Sequence, residues 1–213
     1  MNYELDLLID KSDLPVLRGA GLNITIAKPQ SNGGTPNTVW LAFDPFEGNM
    51  VQWEETYGIY ASSLQTLDHG TSIQTISEVL PAGDGASYDF DNSGTFQGPL
   101  TGPDSPGPGI FKINNKMPYA QHKTLTFGLE QRATIRGNSV EPSPVNAAVV
   151  PSMYHATFEP ITTVYIWMQA EYKSGTVITA VNGNPTIVSF MGGTTRKALA
   201  YDPNSGQFVP TNG

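Results

Sequence analysis

The sequence predicts an all-β protein: an antiparallel β-sandwich of roughly 10–14 short strands with little or no helix. Three observations carry this. Charged residues make up only 14% of the chain, below the proportion usual in globular domains. Gly (22) and Pro (17) recur between apolar segments, together with abundant Ser, Thr and Asn, and that is turn chemistry. Within those segments apolar residues alternate with a period of two, and no amphipathic helix stands out.

A chain of 213 residues buries a sizeable core without staples. The expected organisation is one domain over residues 1–213. The run Gly98–Gly109, rich in Pro and Gly, forms an internal loop because it cannot sustain a ladder. The alternative is two small β subdomains, 1–97 and 110–213.

In order, Tyr3–Ile9 and Leu22–Ala27 are strand segments; Leu22, Ile24 and Ile26 share a face. Lys11–Gly21 between them reads as a connector, and Pro29–Thr38 as a polar loop. Asn37–Ser62 is the most aromatic stretch. It reads as two paired strands: Val39, Leu41 and Phe43 lead to a turn at Asp44-Pro45 and Glu47-Gly48-Asn49, and Val51–Tyr60 returns. Glu55 is the one carboxylate that interrupts the apolar face of the return strand.

Ser62–Leu80 reads as an uncharged hairpin turning at Asp68-His69-Gly70. Its composition suits a segment that inserts into lipid, although Glu78 counts against this. Tyr88–Phe96, Ile110–Ile113, Thr124–Leu129 and Arg132–Arg136 follow as short strands. Val164–Tyr172 is apolar on both faces and is therefore expected to be central and covered twice, by its own chain or by a partner. Turns at Lys173-Ser174-Gly175 and Asn182-Gly183-Asn184 lead to Thr176–Ala180 and Thr186–Phe190, and an Asn204-Ser205-Gly206 turn closes the chain.

Charge narrows the function classes. A net charge of −8 argues against binding nucleic acid backbone, which requires surplus Lys and Arg. Met1–Asp104 holds 14 acids and 3 bases (−11), and Ser105–Gly213 holds 5 acids and 8 bases (+3), so the two parts of one fold are expected to attract each other. The absence of Cys excludes disulfides, thiol catalysis and Cys-type metal sites. The opening segment lacks a basic n-region with an apolar run, and nothing reaches the ~20 apolar residues of a spanning helix. The expectation is a cytoplasmic protein, or one released without a cleaved signal peptide.

No nucleotide-binding or hydrolase motif occurs, and His69, His122 and His155 lie too far apart for a local metal motif. The candidate ligand-binding residues are Trp40, Trp53, Tyr57 and Tyr60, since Trp and Tyr combine an apolar body with a polar tip, with Asp44 and Asn49 as hydrogen-bonding partners. Arg132 and Arg136 share a strand face and suit an anion. Asp89, Asp91 and Ser93 followed by Gly94 match the opening of a calcium loop, although position twelve is Leu100 where a Glu is needed. Glycoside cleavage needs two carboxylates about 5 to 9.5 Å apart. Glu54 and Glu55, being adjacent in a strand, cannot supply both, and the preferred reading is a β-bulge near Gly58 or Glu55 that rephases the strand and sends the carboxylate of Glu55 to solvent.

The expected function is therefore non-enzymatic binding of a glycan or lipid headgroup by exposed aromatics and polar loops. It is lectin-like or toxin-like, with contact to a membrane surface and no cofactor beyond Ca2+. The alternatives are a self-assembling β protein (a homo-oligomer) in which another copy covers Tyr165 and Trp167, and a glycoside hydrolase using Glu55.

Overall fold

The structure, a computed structural model, describes residues 1–30, 34–100, 102, 105–181 and 183–211. Asn182 of the expected Asn182-Gly183-Asn184 turn, Gly33 of the polar loop, and Thr101, Pro103 and Asp104 of the Pro/Gly run lie outside the described residues. The described chain is nearly all β. It has seventeen strands, more than expected, and one short helix, α1 (Leu14–Gly19). Alternation sets the inward faces: along β1 (Asn2–Leu8), Tyr3, Leu5 and Leu7 are buried, and along β4 (Gly48–Glu54), Asn49, Val51 and Trp53 are. α1 occupies the expected connector. It is too short to show a periodic pattern, but Leu14 and Leu17 anchor it in the core.

The described residues form three sheets. The largest has nine strands in the order β17-β16-β1-β4-β10-β5-β6, with β11 and β12 also on β10. Its members are β17 (Gln207–Pro210), β16 (Arg196–Asp202), β10 (Thr124–Ile135), β5 (Gly58–Ser62), β6 (Thr75–Val79), β11 (Asn138–Pro144) and β12 (Ala148–Pro151), besides β1 and β4. β10 is the spine: β4 and β5 share one of its edges, and β11 and β12 the other. A second sheet runs β13 (His155–Phe158), β9 (Phe111–Asn115), β7 (Ser87–Phe90), β8 (Phe96–Leu100). A third runs β15 (Thr186–Ser189), β14 (Thr163–Ala170), β2 (Leu22–Ala27), β3 (Leu41–Phe43). One apolar core joins all three, through Leu5 and Leu129, Phe90 and Ile113, and Ile26 and Val164.

The pairing corrects the expected antiparallel scheme, because β1 with β16 and β7 with β9 are parallel. The aromatic stretch is not a hairpin either. β3 pairs with β2, β4 pairs with β1 and β10, and the expected return strand breaks at Glu55-Thr56-Tyr57 before β5. Ser62 ends β5, and from there to Leu80 the one strand is 75–79, paired with β5. The loop ahead of it lies over Tyr60: Leu64, Leu67 and Ile73 join Tyr60, Ala147 and Val177 in a satellite cluster. Thr126 Oγ1 donates to Leu64 O at 2.8 Å, and His69 meets the Tyr172 hydroxyl at 3.0 Å. That loop is bonded into the fold rather than held as free hairpin arms.

β14 is central in its sheet and covered on both faces, as its composition requires. Val164 and Ile166 face the main core, while Trp167 packs with Ala27, Val39, Tyr172 and Ile178. Its own chain therefore covers Trp167, and the Tyr165 hydroxyl donates to Gly34 O at 3.2 Å. Charge attraction between the two parts of the chain is seen where Arg196 of β16 meets Glu4 and Asp6 of β1, each at 2.9 Å.

Asn49 is buried and holds the β3–β4 turn. Its Nδ2 donates to Leu7 O (3.0 Å) and Phe46 O (2.6 Å), and its Oδ1 accepts from Phe46 N (3.0 Å). Asn49→Ala leaves these groups without partners and is expected to lower stability by roughly 2 kcal/mol in urea denaturation. An unchanged midpoint would show that the turn holds itself.

Candidate functional site

The four rings expected at the rim are inside. Trp40 and Tyr60 are 0% exposed, Trp53 4% and Tyr57 5%. This overturns the reading of Trp40, Trp53, Tyr57 and Tyr60 as ligand-stacking residues, because a sealed ring offers no face to a ligand. Three of them instead surround Lys28. Its Nζ lies 4.5 Å from the Trp40 ring centroid, 5.3 Å from Trp53 and 5.5 Å from Tyr57, and donates to Gln131 Oε1 at 2.5 Å. Gln131 in turn donates to Glu54 O at 2.6 Å, and its carbonyl accepts from Trp40 Nε1 at 3.1 Å. Burial pulls the Lys28 amine down to about 7, with Glu55 opposing the fall. Aromatic faces stabilise an ammonium that has no bulk water around it. This box holds the strands together from within.

Tyr60 lies on the opposite face of the large sheet, where its hydroxyl donates to Asn146 O at 2.8 Å. Beside it Glu130, 1% exposed, is pushed up to about 8, chiefly by burial and then by Glu78, with Arg132 pulling the other way. Glu130 Oε1 has no hydrogen-bond partner among the described residues. It is therefore a neutral carboxylic acid over most of the physiological range.

The two arginines do not converge. Arg132 lines a cleft of about 440 Å³ with Gln52, Glu54 and Thr134, whereas Arg136 lies just past the end of β10 in another, of about 600 Å³, with Lys11, Arg18 and Phe46. Arg136 and Arg18 both lie over the Phe46 ring, at 3.6 and 4.7 Å. Arg18 also donates to Pro45 O at 2.9 Å, so this cluster clamps α1 to the β3–β4 turn. Asp44 is exposed at that turn, and Asn49 is buried beneath it.

Asp89, Asp91 and Ser93 sit on and beyond β7, but protein donors occupy their oxygens. Asp91 Oδ1 accepts from Ser93 N (2.9 Å) and Ser93 Oγ (2.5 Å), and Oδ2 accepts from Gln97 Nε2 (2.8 Å). These bonds draw Asp91 down to about 2. Asp89 Oδ1 accepts from Asn114 at 2.7 Å. Among the described residues no group of three or more His, Asp or Glu is placed to hold a metal ion.

Glu55 is exposed at the strand break and lines a cleft of about 380 Å³ with Thr56, Tyr57, Ala82, Asp84, Gly109, Phe111 and Pro160. Glu54, the last residue of β4, lines different clefts. The acid that shares a cleft with Glu55 is thus Asp84, distant in sequence and unreadable from local pattern.

The exposed rings lie elsewhere. Tyr119 is 65% exposed, Met153 68% and Tyr154 66%. They stand on two loops that backbone bonds stitch together: Met153 N donates to Asn115 O (2.8 Å), Asn115 N to Tyr154 O (2.8 Å) and Ser152 N to Lys123 O (2.9 Å). Ser152 Oγ donates to Met117 O at 2.6 Å, and Met153 is held at φ 67°. Lys116 and Lys123 are exposed on the same loops, with Lys123 Nζ 5.9 Å from the Tyr119 ring. Sequence reasoning passed over this tip because neither loop has a periodic pattern; the signal was the mixture of Tyr, Met and Lys in segments flanked by Pro118 and Pro151. Among the described residues no helix is long and apolar enough to cross a membrane. No protein family, no curated protein and no solved structure matches this chain.

Proposed function

We propose that this is a non-enzymatic binding protein, a β-sandwich in overall design, that docks on lipid headgroups at a membrane surface through the Tyr119/Met153/Tyr154 tip. The observation that carries this reading is the tip itself: three large side chains, each about two-thirds exposed, beside two lysines on a bonded platform. Tyrosine places an apolar ring and a polar hydroxyl across an interface, Met adapts to acyl chains, and lysine reaches phosphate. The single core shared by all three sheets supports the sandwich.

Co-sedimentation with vesicles tests it. Wild type is expected to bind phosphatidylcholine vesicles containing phosphatidylserine, with or without calcium. Met153→Ser/Tyr154→Ser is expected to weaken binding at least tenfold, since burying each such side chain contributes about 1.5–3 kcal/mol and 1.4 kcal/mol is tenfold. Lys116→Gln/Lys123→Gln is expected to remove the preference for the anionic lipid. Wild type that ignores both vesicle types, or that binds immobilised glycans instead, refutes the lipid reading.

A further inference from the structure

We propose that the cleft beside Phe46, where Lys11, Arg18 and Arg136 meet, is a binding site for a phosphate dianion, free or carried by a small monoester. Its evidence is separate from that of the tip. Lys123 immediately precedes β10 and Arg136 immediately follows it, so the strand holds the two places roughly 40 Å apart, at ~3.3 Å per residue.

Charge placement is the first argument. Met1–Asp104 holds 14 acids and only three bases, Lys11, Arg18 and Lys28. Lys28 is sealed in the core, so both bases that this acidic part exposes line one cleft of about 600 Å³, and Arg136 joins them from the other part of the chain. Glu47 is the one acid on the lining, and three positive charges against one negative leave the cleft two positive. Among the described residues the ion pairs are those of Arg196, so none of these three cations has a carboxylate within salt-bridge distance.

The second argument is a backbone outlier. Arg136 is held at φ 50° and Gly137 at φ 77°, in the two-residue turn between Ile135 and Asn138 that joins β10 to β11. Asn, Asp and Gly ordinarily fill such turns because they accept a positive φ readily, and Arg does not. An unfavourable backbone conformation kept under an exposed side chain points to a use for that side chain.

The third is a set of prepared, unspent donors. The Arg136 guanidinium lies 3.6 Å from the Phe46 ring centroid and that of Arg18 lies 4.7 Å away. Stacking on a ring occupies a planar face and leaves the N–H edge free to donate. Arg18 uses Nε and Nη2 on Pro45 O, so Nη1 is unspent. Among the described residues neither the Arg136 guanidinium nor the Lys11 amine has a hydrogen-bond partner.

A phosphate monoester brings about two negative charges and three acceptor oxygens, which suit both the charge of the cleft and its forked donors. A carboxylate brings half that charge. A nucleic acid or other long polyanion would meet the net −8 of the whole chain, which favours a small ligand. Pro15 and Phe46 supply an apolar wall for the carbon atoms of an ester.

Calorimetric titration of the full chain with methyl phosphate tests this at about pH 8, where the monoester is a dianion. Dimethyl phosphate, with one charge, is the comparison at the same ionic strength. Saturable binding of methyl phosphate is expected, with the diester at least about tenfold weaker. Inorganic phosphate separates the two sources: tighter binding than methyl phosphate assigns the site to the free ion, and weaker binding to an ester. Arg136→Asn is expected to weaken methyl phosphate binding about tenfold while the chain still folds, since Asn accepts the positive φ. Lys11→Gln, at an exposed position with no bond to break, is expected to weaken it about threefold. No saturable binding, equal response to the diester, or full binding by an Arg136→Asn/Lys11→Gln double variant overturns the proposal.

Discussion

Folding stability is expected to pass through a minimum between about pH 7 and 8, where many proteins are near their most stable. Two buried groups set the trough. Lys28 titrates near 7 when folded and near 10.4 when unfolded, so between those values the unfolded chain holds more protons and stability rises with pH. Below pH 7 the amine is charged in both states, and the full cost of burying it persists. Glu130 acts in the opposite sense. It titrates near 8 when folded and about 4.3 when unfolded, so the folded chain holds more protons between those values. Its contribution is undiminished below about pH 4.3 and is lost as pH climbs towards 8.

Each limb is expected to approach 1.4 kcal/mol per pH unit, about one proton's worth. Urea denaturation from pH 5 to 10 would show both. Lys28→Met is expected to abolish the rising limb and Glu130→Gln the falling one. Met also leaves Gln131 Oε1 without its donor, so the slope is the diagnostic and not the absolute value. A flat profile for wild type across pH 8–10 would mean that Lys28 keeps its proton in both states.

Gly128→Ala is expected to cost roughly 3 kcal/mol or more, near the upper end of what overpacking does. Gly128 sits on β10 directly opposite Tyr60, and a Cβ there would meet Asn146 O, Tyr60 Cε1 at 2.7 Å and Tyr60 Oη at 2.8 Å. The obstacle is backbone on one side and a fully buried ring on the other, so neither can retreat. Displacing them also breaks the Tyr60–Asn146 bond and strains the Asn146 Oδ1 contact with Leu129 N. Gly48→Ala is the control: it is also a strand glycine, but it has nothing within 4 Å of a built Cβ and is expected to move stability by less than about 0.5 kcal/mol. Equal effects of the two substitutions in chemical denaturation would show that the Tyr60 side of the sheet is loosely packed.

Legibility differed sharply between elements. Leu22–Ala27 emerged with the bounds its alternation predicts, and the two apolar faces of 164–168 implied the double coverage that β14 has. The aromatic stretch misled, because turn chemistry at Asp44–Asn49 is compatible with a hairpin, whereas the ladder partners of β3 and β4 are β2 and β1. Glu55 faces solvent, as the bulge reading anticipates, but the strand breaks there instead of bulging. Its cleft partner Asp84 was beyond reach, because nothing local relates two residues that loops bring together.

From composition and alternation alone this chain was destined to be β throughout, with the rings of 53 and 57 on a common side and no thiol chemistry. Which side met water was a tertiary decision. A period of two states that residues share a face, but only the stacking of sheets around Lys28 makes that face the interior. The same stacking left Tyr119, Met153 and Tyr154 outside, on loops whose exposure no periodicity encodes.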